Sequence, residues 1–168
     1  ALSVAIVRFL AAEGAQLSQP FGLALELENI FHGKSSGIDV ACVLSSVPIC
    51  YVKSSPPIDL QMAWKPKLFL FDTGKRSSTK ECVMKVEAAN RKDLDERMAK
   101  AVKSAKSALL SEQSDRLSEL AEAMDEANSC FEEWGLGADH TLMSDLKAQG
   151  AVSVKPTGSG GGGFLLTL

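Results

Sequence analysis

The stretch Glu28–Asp39 reads ENIFHGKSSGID, and the rest of the chain is organised around it. It carries one carboxylate, Glu28, at the end of a run with helical apolar spacing, and a second, Asp39, just beyond a loop. Glycine and serine in that loop allow the backbone to approach a ligand closely. Two carboxylates placed in this way can hold a metal ion and a proton acceptor close together. The alternative interpretation of Glu28 is a solvated acid at a helix end.

The segments around this stretch predict both helices and strands. Leu2–Ala12 is apolar almost all round, which predicts a fully buried helix, and Pro20 favours the start of a second helix. The residues of Ile38–Ser45 are strand-like, so we expect a strand after the loop. The Ser/Pro-rich segment SSPPIDL then indicates a domain boundary, which gives domains at residues 1–58 and 59–168.

The next part of the chain predicts a strand followed by helices. The run LFLF at residues 68–71 predicts a buried strand. Ser77, Ser78 or Thr79 can cap the long helix after it, which presents Leu94 to Leu109 on one face. Another helix, ended by glycines, has apolar residues every three or four positions, which predicts core packing. These residues are Leu117, Leu120, Met124, Ala127, Phe131 and Trp134. A shorter helix begins near Asp139.

The segment AVSVKPTGSGGGGFLLTL predicts a strand, a glycine loop and a second strand. A glycine run is also typical of a flexible linker, but the apolar flanks favour a turn between paired strands. Its N–H groups can approach a phosphate closely. The P-loop pattern is absent from the sequence, and the GxGxxG at Gly158–Gly163 precedes a strand instead of the helix that a dinucleotide site requires. The order of the predicted elements indicates an α+β fold.

Composition excludes some classes of partner. A net charge of -3 and a pI near 5.4 provide no basic field, so neither nucleic acid nor a membrane is an expected partner. No apolar run is long enough to span a bilayer. The four cysteines form no CxxC pair, which favours a reduced, cytoplasmic setting, and we expect Cys42 and Cys130 to be buried as small apolar residues.

Three segments resemble motifs of the GHMP kinase superfamily, most closely those of the mevalonate kinases. ENIFHGKSSGID is similar to the second motif in the form E-x3-HGxPSGxD, and KPTGSGGGGFLLTL resembles the third, KxTGAGGGG. Between them, FDTGKRSSTKECV resembles the strand and loop that read like DTKxPRxTxxxV. Ser35 replaces the usual proline, and Ser159 replaces the usual alanine.

The resemblance implies ATP-dependent phosphorylation of a small-molecule hydroxyl, most closely that of mevalonate, with ATP and Mg²⁺ as cofactors. Asp39 matches the proton acceptor and Glu28 matches the magnesium ligand. Three residues match substrate-binding positions: His32, Ser36 and Thr79. The loop that approaches the phosphates comprises Gly158, Ser159, Gly160, Gly161 and Gly162. A histidine at a helix end and a threonine at a helix start are also typical of packing and capping.

The resemblance also implies a two-domain fold, with part of a GHMP N-terminal domain followed by a ferredoxin-like α+β C-terminal domain. The first motif, PxxxGLGSSAA, is not in this sequence, and Ala1–Val4 resembles its trailing edge. We therefore expect an internal fragment that is inactive by itself. The alternatives are a phosphomevalonate kinase, a sugar kinase, a diphosphomevalonate decarboxylase or a noncatalytic metabolite-binding relative. A homodimer is an open alternative to a monomer.

Overall fold

The computed structural model describes residues 2–32, 35–53, 55–137 and 139–168, except for the side chains of Phe31 and His32. Within these residues the fold is α+β. The chain divides into two compact units, Ala1–Gln61 and Met62–Leu168. The domain limits expected at residues 58 and 59 remain a prediction about the whole protein.

In its described residues, the first unit contains three helices and a short antiparallel strand pair. The helices are α1 (Leu2–Ala12), α2 (Pro20–His32) and α3 (Ile38–Leu44). The strands are β1 (Ile49–Cys50) and β2 (Ile58–Asp59). One small core, shared by all three helices, is built from Val4, Val7, Ala24 and Val40.

The strand predicted over Ile38–Ser45 is wrong, because Ile38–Leu44 form α3 and Ser45 is its C-cap. Gly37, with φ at 83°, turns the chain into the helix. Val40 is fully buried in the core of the unit, and Leu44, one helical turn later, packs against the same core. Burial of this helical face outweighs the β propensity of the isoleucine and valines, which is a weak preference.

The prediction that α1 is buried on all sides is also wrong. The helix buries one face, on which Ser3, Val4 and Val7 lie. Leu2 and Phe9 lie on the other face, and each is 62% exposed. The buried positions are spaced by one, three and four residues, which is the spacing of one helical face.

The part of the second unit that the structure describes combines a three-stranded antiparallel sheet with four helices. The sheet has the order β3–β5–β4, with β3 at Phe69–Asp72, β4 at Val154–Pro156 and β5 at Phe164–Thr167. The helices are α4 (Thr79–Ala89), α5 (Lys92–Leu110), α6 (Arg116–Glu133) and α7 (His140–Ala148). Both α6 and α7 contact β4.

The core packing predicted for the helix at 117–134 is confirmed in α6 at Leu120, Met124 and Ala127, which are buried. It is wrong for Leu117, which is 43% exposed. Leu120 and Met124 of α6 are buried against Ala108 of α5. Arg97 of α5 also donates to Glu126 of α6 at 2.6 Å. The long helix predicted before α6 is instead two helices, because Asn90 adopts a left-handed conformation and caps the end of α4.

The strand predicted over residues 68–71 is confirmed as β3, but its predicted burial is wrong. Phe69 and Leu70 are 65% and 64% exposed, respectively. The sheet order explains this, since β5 flanks β3 on one side and no strand flanks its other side among the described residues. β3 is therefore an edge strand.

No helix in the described part of the chain is both long and apolar enough to cross a lipid bilayer.

Candidate functional site

Glu28 is a buried carboxylate in the first unit. It lies on α2 and is 8% exposed, so the alternative of a solvated helix-end acid is wrong. The hydroxyl of Ser3, on α1, donates to Glu28 Oε2 at 2.6 Å, and Ser3 is fully buried. A hydroxyl–carboxylate bond of this length is typical of a charge-assisted hydrogen bond. Ser3 is the site residue that the sequence did not reveal, since its only local signal is a hydroxyl within an apolar helix.

Residues 35–37, which precede α3, are held by hydrogen bonds that involve Ser35 and Ser36. The Ser35 N–H donates to Asn29 Oδ1 at 2.7 Å, and the Gly37 N–H donates to Ser35 Oγ at 3.1 Å. The Ser36 carbonyl accepts from the Tyr51 hydroxyl at 2.9 Å. Ser35 therefore accepts one of these hydrogen bonds and donates another.

Asp39 lies in the first turn of α3 with an exposed side chain. A carboxylate at this position interacts favourably with the helix dipole. A side chain on Gly37 would collide with the Tyr51 hydroxyl, at 2.7 Å from a built Cβ, so the turn that leads to Asp39 requires glycine. Asp39 is exposed, whereas Glu28 is only 8% exposed, so the two carboxylates lie in different environments.

The glycine loop of the second unit is an ordered turn between β4 and β5, which are paired antiparallel. A Cβ on Gly160 would overlap the Phe131 ring, and one on Gly161 would overlap Cys82 Sγ. Within the described residues, the N–H groups of Gly161 and Gly162 have no protein acceptor. The prediction of a turn held between paired strands is confirmed, and the linker interpretation is wrong.

The loop is fastened to the segment that follows β3. Both the N–H and the hydroxyl of Thr73 donate to the Gly163 carbonyl, at 2.9 and 2.8 Å. The Gly163 N–H in turn donates to the Lys75 carbonyl at 2.8 Å. Two of the sequence motifs, which lie about ninety positions apart, are thereby joined in one structure.

A cavity of about 80 Å³ opens beside the glycine loop. Among the residues that line it are Thr73, Lys75, Asp139, Gly160, Gly161 and Gly162. Lys75 Nζ donates to Asp139 Oδ2 at 3.1 Å, and this bond lowers the pKa of the Asp139 carboxyl below its usual range. Glycine N–H groups and an ammonium group at one cavity are chemistry that suits an anion.

The structure bears on the predictions for Thr79 but not on the one for the His32 side chain. Thr79 is the first residue of α4 and is exposed, while Ser78 is the cap, because its hydroxyl accepts from the Glu81 N–H at 3.4 Å. The capping interpretation of Thr79 is therefore wrong, and its substrate role stays a prediction. His32 ends α2, but its side chain lies outside the described residues, so its predicted role is untested.

Lys155 points back into the protein. Its ammonium donates to the Pro156 carbonyl at 2.8 Å and lies 5.8 Å from the centre of the Phe131 ring. Burial lowers the pKa of the Lys155 ammonium. In this conformation the protein itself satisfies the charge.

All four cysteines are free. Cys82 and Cys130 are buried, and burial raises the pKa of the Cys130 thiol. Cys42 is exposed, so the expectation that it is buried is wrong. It lies on α3, in the stretch that was expected to be a strand, and the helical conformation turns it away from the face that holds Val40.

The donor atoms at Glu28 fit a hard cation such as Mg²⁺. Mg²⁺ prefers oxygen ligands, and the buried carboxylate and the Ser3 hydroxyl provide them. No group of three or more histidine, cysteine, aspartate or glutamate side chains comes together in the described parts of the chain. Mg²⁺ in phosphoryl-transfer sites commonly has one or two carboxylates and takes its other ligands from water and phosphate.

Comparison with known proteins found no family model that matches the chain. It found no match among curated proteins either.

Proposed function

We propose that this chain is part of an ATP-dependent small-molecule kinase of the GHMP superfamily, and that its substrate hydroxyl is that of mevalonate. The product would be 5-phosphomevalonate, a precursor in isoprenoid synthesis. In this proposal the two units belong to the N-terminal and the ferredoxin-like C-terminal domains of that fold. The protein would act in the cytoplasm.

The observation that carries the proposal is the glycine loop. It is an ordered turn between paired strands, its residues leave no room for side chains at Gly160 and Gly161, and it borders a cavity with a lysine. A flexible linker would have none of these features. The motif that this loop resembles approaches the phosphates in GHMP kinases, and the same chain carries the other two motifs in order.

The two carboxylates of the first unit support the same chemistry. Phosphoryl transfer depends on positioning and on neutralising the charge of the phosphate oxygens. Glu28, with Ser3, offers oxygen ligands to Mg²⁺. Asp39 is exposed and can accept the proton of a substrate hydroxyl. His32, Ser36 and Thr79 would contact the substrate.

The direct experiment is Asp39→Asn in the intact protein. We expect kcat for mevalonate phosphorylation to fall by about 10²- to 10⁴-fold, with ATP binding nearly unchanged, because the base is lost while the nucleotide site is kept. Asp59→Asn is the matched control, since Asp59 is an exposed aspartate of the same unit. Turnover at the wild-type level in Asp39→Asn would show that Asp39 is not the base.

A side-by-side assay identifies the substrate within the superfamily. Phosphate transfer to mevalonate, phosphomevalonate and galactose would be compared at equal concentrations. The proposal expects the highest kcat/KM with mevalonate. Preference for either of the other two would assign the protein to another GHMP activity, and transfer to none of them would favour a noncatalytic relative.

A further inference from the structure

Lys75 is anchored beside the glycine loop through its own backbone. Its carbonyl accepts the Gly163 N–H at 2.8 Å, and its N–H donates to Thr73 Oγ1 at 3.2 Å. The same Thr73 hydroxyl donates to the Gly163 carbonyl at 2.8 Å. The backbone of Lys75 is therefore fixed with respect to the loop, while the ammonium group at the end of its side chain can move.

The ammonium of Lys75 is paired with the carboxylate of Asp139, which also caps a helix. Asp139 Oδ1 accepts the N–H groups of Thr141 and Leu142, at 3.0 and 3.4 Å, and so caps α7. Asp139 Oδ2 accepts from Lys75 Nζ at 3.1 Å. Because the two bonds use different oxygens, the lysine can leave while the helix keeps its cap.

The pair with Asp139 is weak enough to be replaced. The side chains of Lys75 and Asp139 are 64% and 40% exposed, and exposed ion pairs contribute little to stability. A polyphosphate carries more negative charge than one carboxylate and offers more acceptor oxygens. Gly161 and Gly162 line the same cavity, and their N–H groups have no protein acceptor among the described residues.

We propose that Lys75 is a phosphate-binding residue that moves from Asp139 to a polyphosphate anion held by the glycine loop. This inference rests on the proposed function, because it names the cation that would neutralise the phosphates at that loop. Asp139 acts as the resting partner of the ammonium, and it lowers the affinity for anions that are too weak to displace it.

The test is a titration of the full 168-residue chain with inorganic tripolyphosphate, followed by the amide resonances of Gly161 and Gly162. We expect these resonances to shift in the wild-type protein. Lys75→Met should raise Kd about tenfold, because a hydrogen bond between charged groups is lost. Lys75→Arg, which keeps the charge, should stay within about threefold of the wild type.

Asp139→Asn tests the competition directly. Asparagine still caps a helix, so α7 should persist, while the ammonium no longer has a charged partner. We expect Kd to fall about threefold, in line with the small contribution of an exposed ion pair. The gain should be smaller when Lys75→Met is also present, because part of it depends on the freed lysine.

Lys147→Met is the matched control. Lys147 forms an exposed ion pair with Asp125 at 3.3 Å in the same unit, so its loss changes the net charge equally. If Lys75→Met weakened binding no more than Lys147→Met while the glycine resonances still shifted, the role of Lys75 would be refuted and the loop would remain a phosphate site. If the wild-type resonances did not shift, both would be refuted, whereas the kinase activity is tested separately with Asp39→Asn.

Discussion

At the scale of single residues, the contact between Ser3 and Glu28 determines how a carboxylate can be buried in the first unit. A buried carboxylate costs free energy unless its oxygens accept hydrogen bonds. Ser3 provides one such bond from a neighbouring helix, at 2.6 Å. The same bond orients the carboxylate that we propose as the magnesium ligand. The Ser3 hydroxyl therefore contributes both to stability and to the proposed metal site.

Ser3→Ala should lower the free energy of unfolding by about 1–3 kcal/mol, because the buried Glu28 carboxylate loses one of its hydrogen bonds. The measurement is urea denaturation followed by circular dichroism. Ser46→Ala, at an exposed serine of the same unit, is the control and should change stability by less than about 0.5 kcal/mol. Equal stability of Ser3→Ala and the wild type would mean that the hydrogen bond does not contribute.

Substitution of Gly161 tests how tightly the glycine loop is packed. A Cβ there would overlap Cys82 Sγ and lie 2.8 Å from Ser77 Oγ, so Gly161→Ala should cost about 1–3 kcal/mol. Adding Cys82→Ala should recover part of this cost by making room. Gly22→Ala is the contrast. Gly22 lies in α2, and a Cβ there meets only Gln19, at 3.4 Å, so this substitution should raise the free energy of unfolding by about 0.5–1 kcal/mol. If the two alanines had the same effect in urea denaturation, packing at the loop would not explain its glycines.

At the scale of elements, the neighbouring residues Ser78 and Thr79 have different roles at the start of α4: Ser78 caps the helix, and Thr79 does not. Ser78→Ala should lower the free energy of unfolding by about 1 kcal/mol, because the cap of the Glu81 N–H is lost. Thr79→Ala should be neutral or slightly stabilising, since alanine is the better helix former and Thr79 is exposed. Thermal denaturation of both variants is the measurement. A larger loss for Thr79→Ala would mean that Thr79, and not Ser78, caps the helix.

The sequence predicts the elements whose signals are local. Asp139 caps α7 and the glycine loop lies between strands, as the pattern indicates, because capping and turn formation depend on neighbouring residues. The helical conformation of α3 has no such local signal, because it depends on the burial of Val40 and its helical face against α1 and α2. The end of α4 at Asn90 did have a local signal, because asparagine readily adopts the left-handed conformation.

The same distinction applies to the candidate site. Glu28, Asp39 and the glycine loop can be proposed from the sequence because each belongs to a contiguous motif. Ser3 was missed because it lies 25 positions from Glu28 and only helix packing brings them together. The ion pair between Lys75 and Asp139 likewise could not be predicted from the sequence, because the two residues are 64 positions apart.

At the scale of the whole molecule, the second unit presents an unusual surface at β3. Phe69, Leu70 and Phe71 are all exposed on an edge strand. An exposed apolar edge offers unpaired backbone groups and apolar side chains together, which is the combination that promotes pairing with another strand. Proteins commonly protect such edges with charged residues, and β3 has its only charge, Asp72, at its end.

We expect the 168-residue chain to self-associate as its concentration rises, and Leu70→Lys to reduce the associated fraction severalfold. A lysine on an edge strand opposes strand pairing because its charge would have to be desolvated. Sedimentation velocity over a range of concentrations is the measurement. Val102→Lys on α5, where the side chain is 55% exposed, adds the same charge away from any strand edge and should leave association unchanged. An equal reduction by both substitutions would show that net charge, and not the β3 edge, governs association.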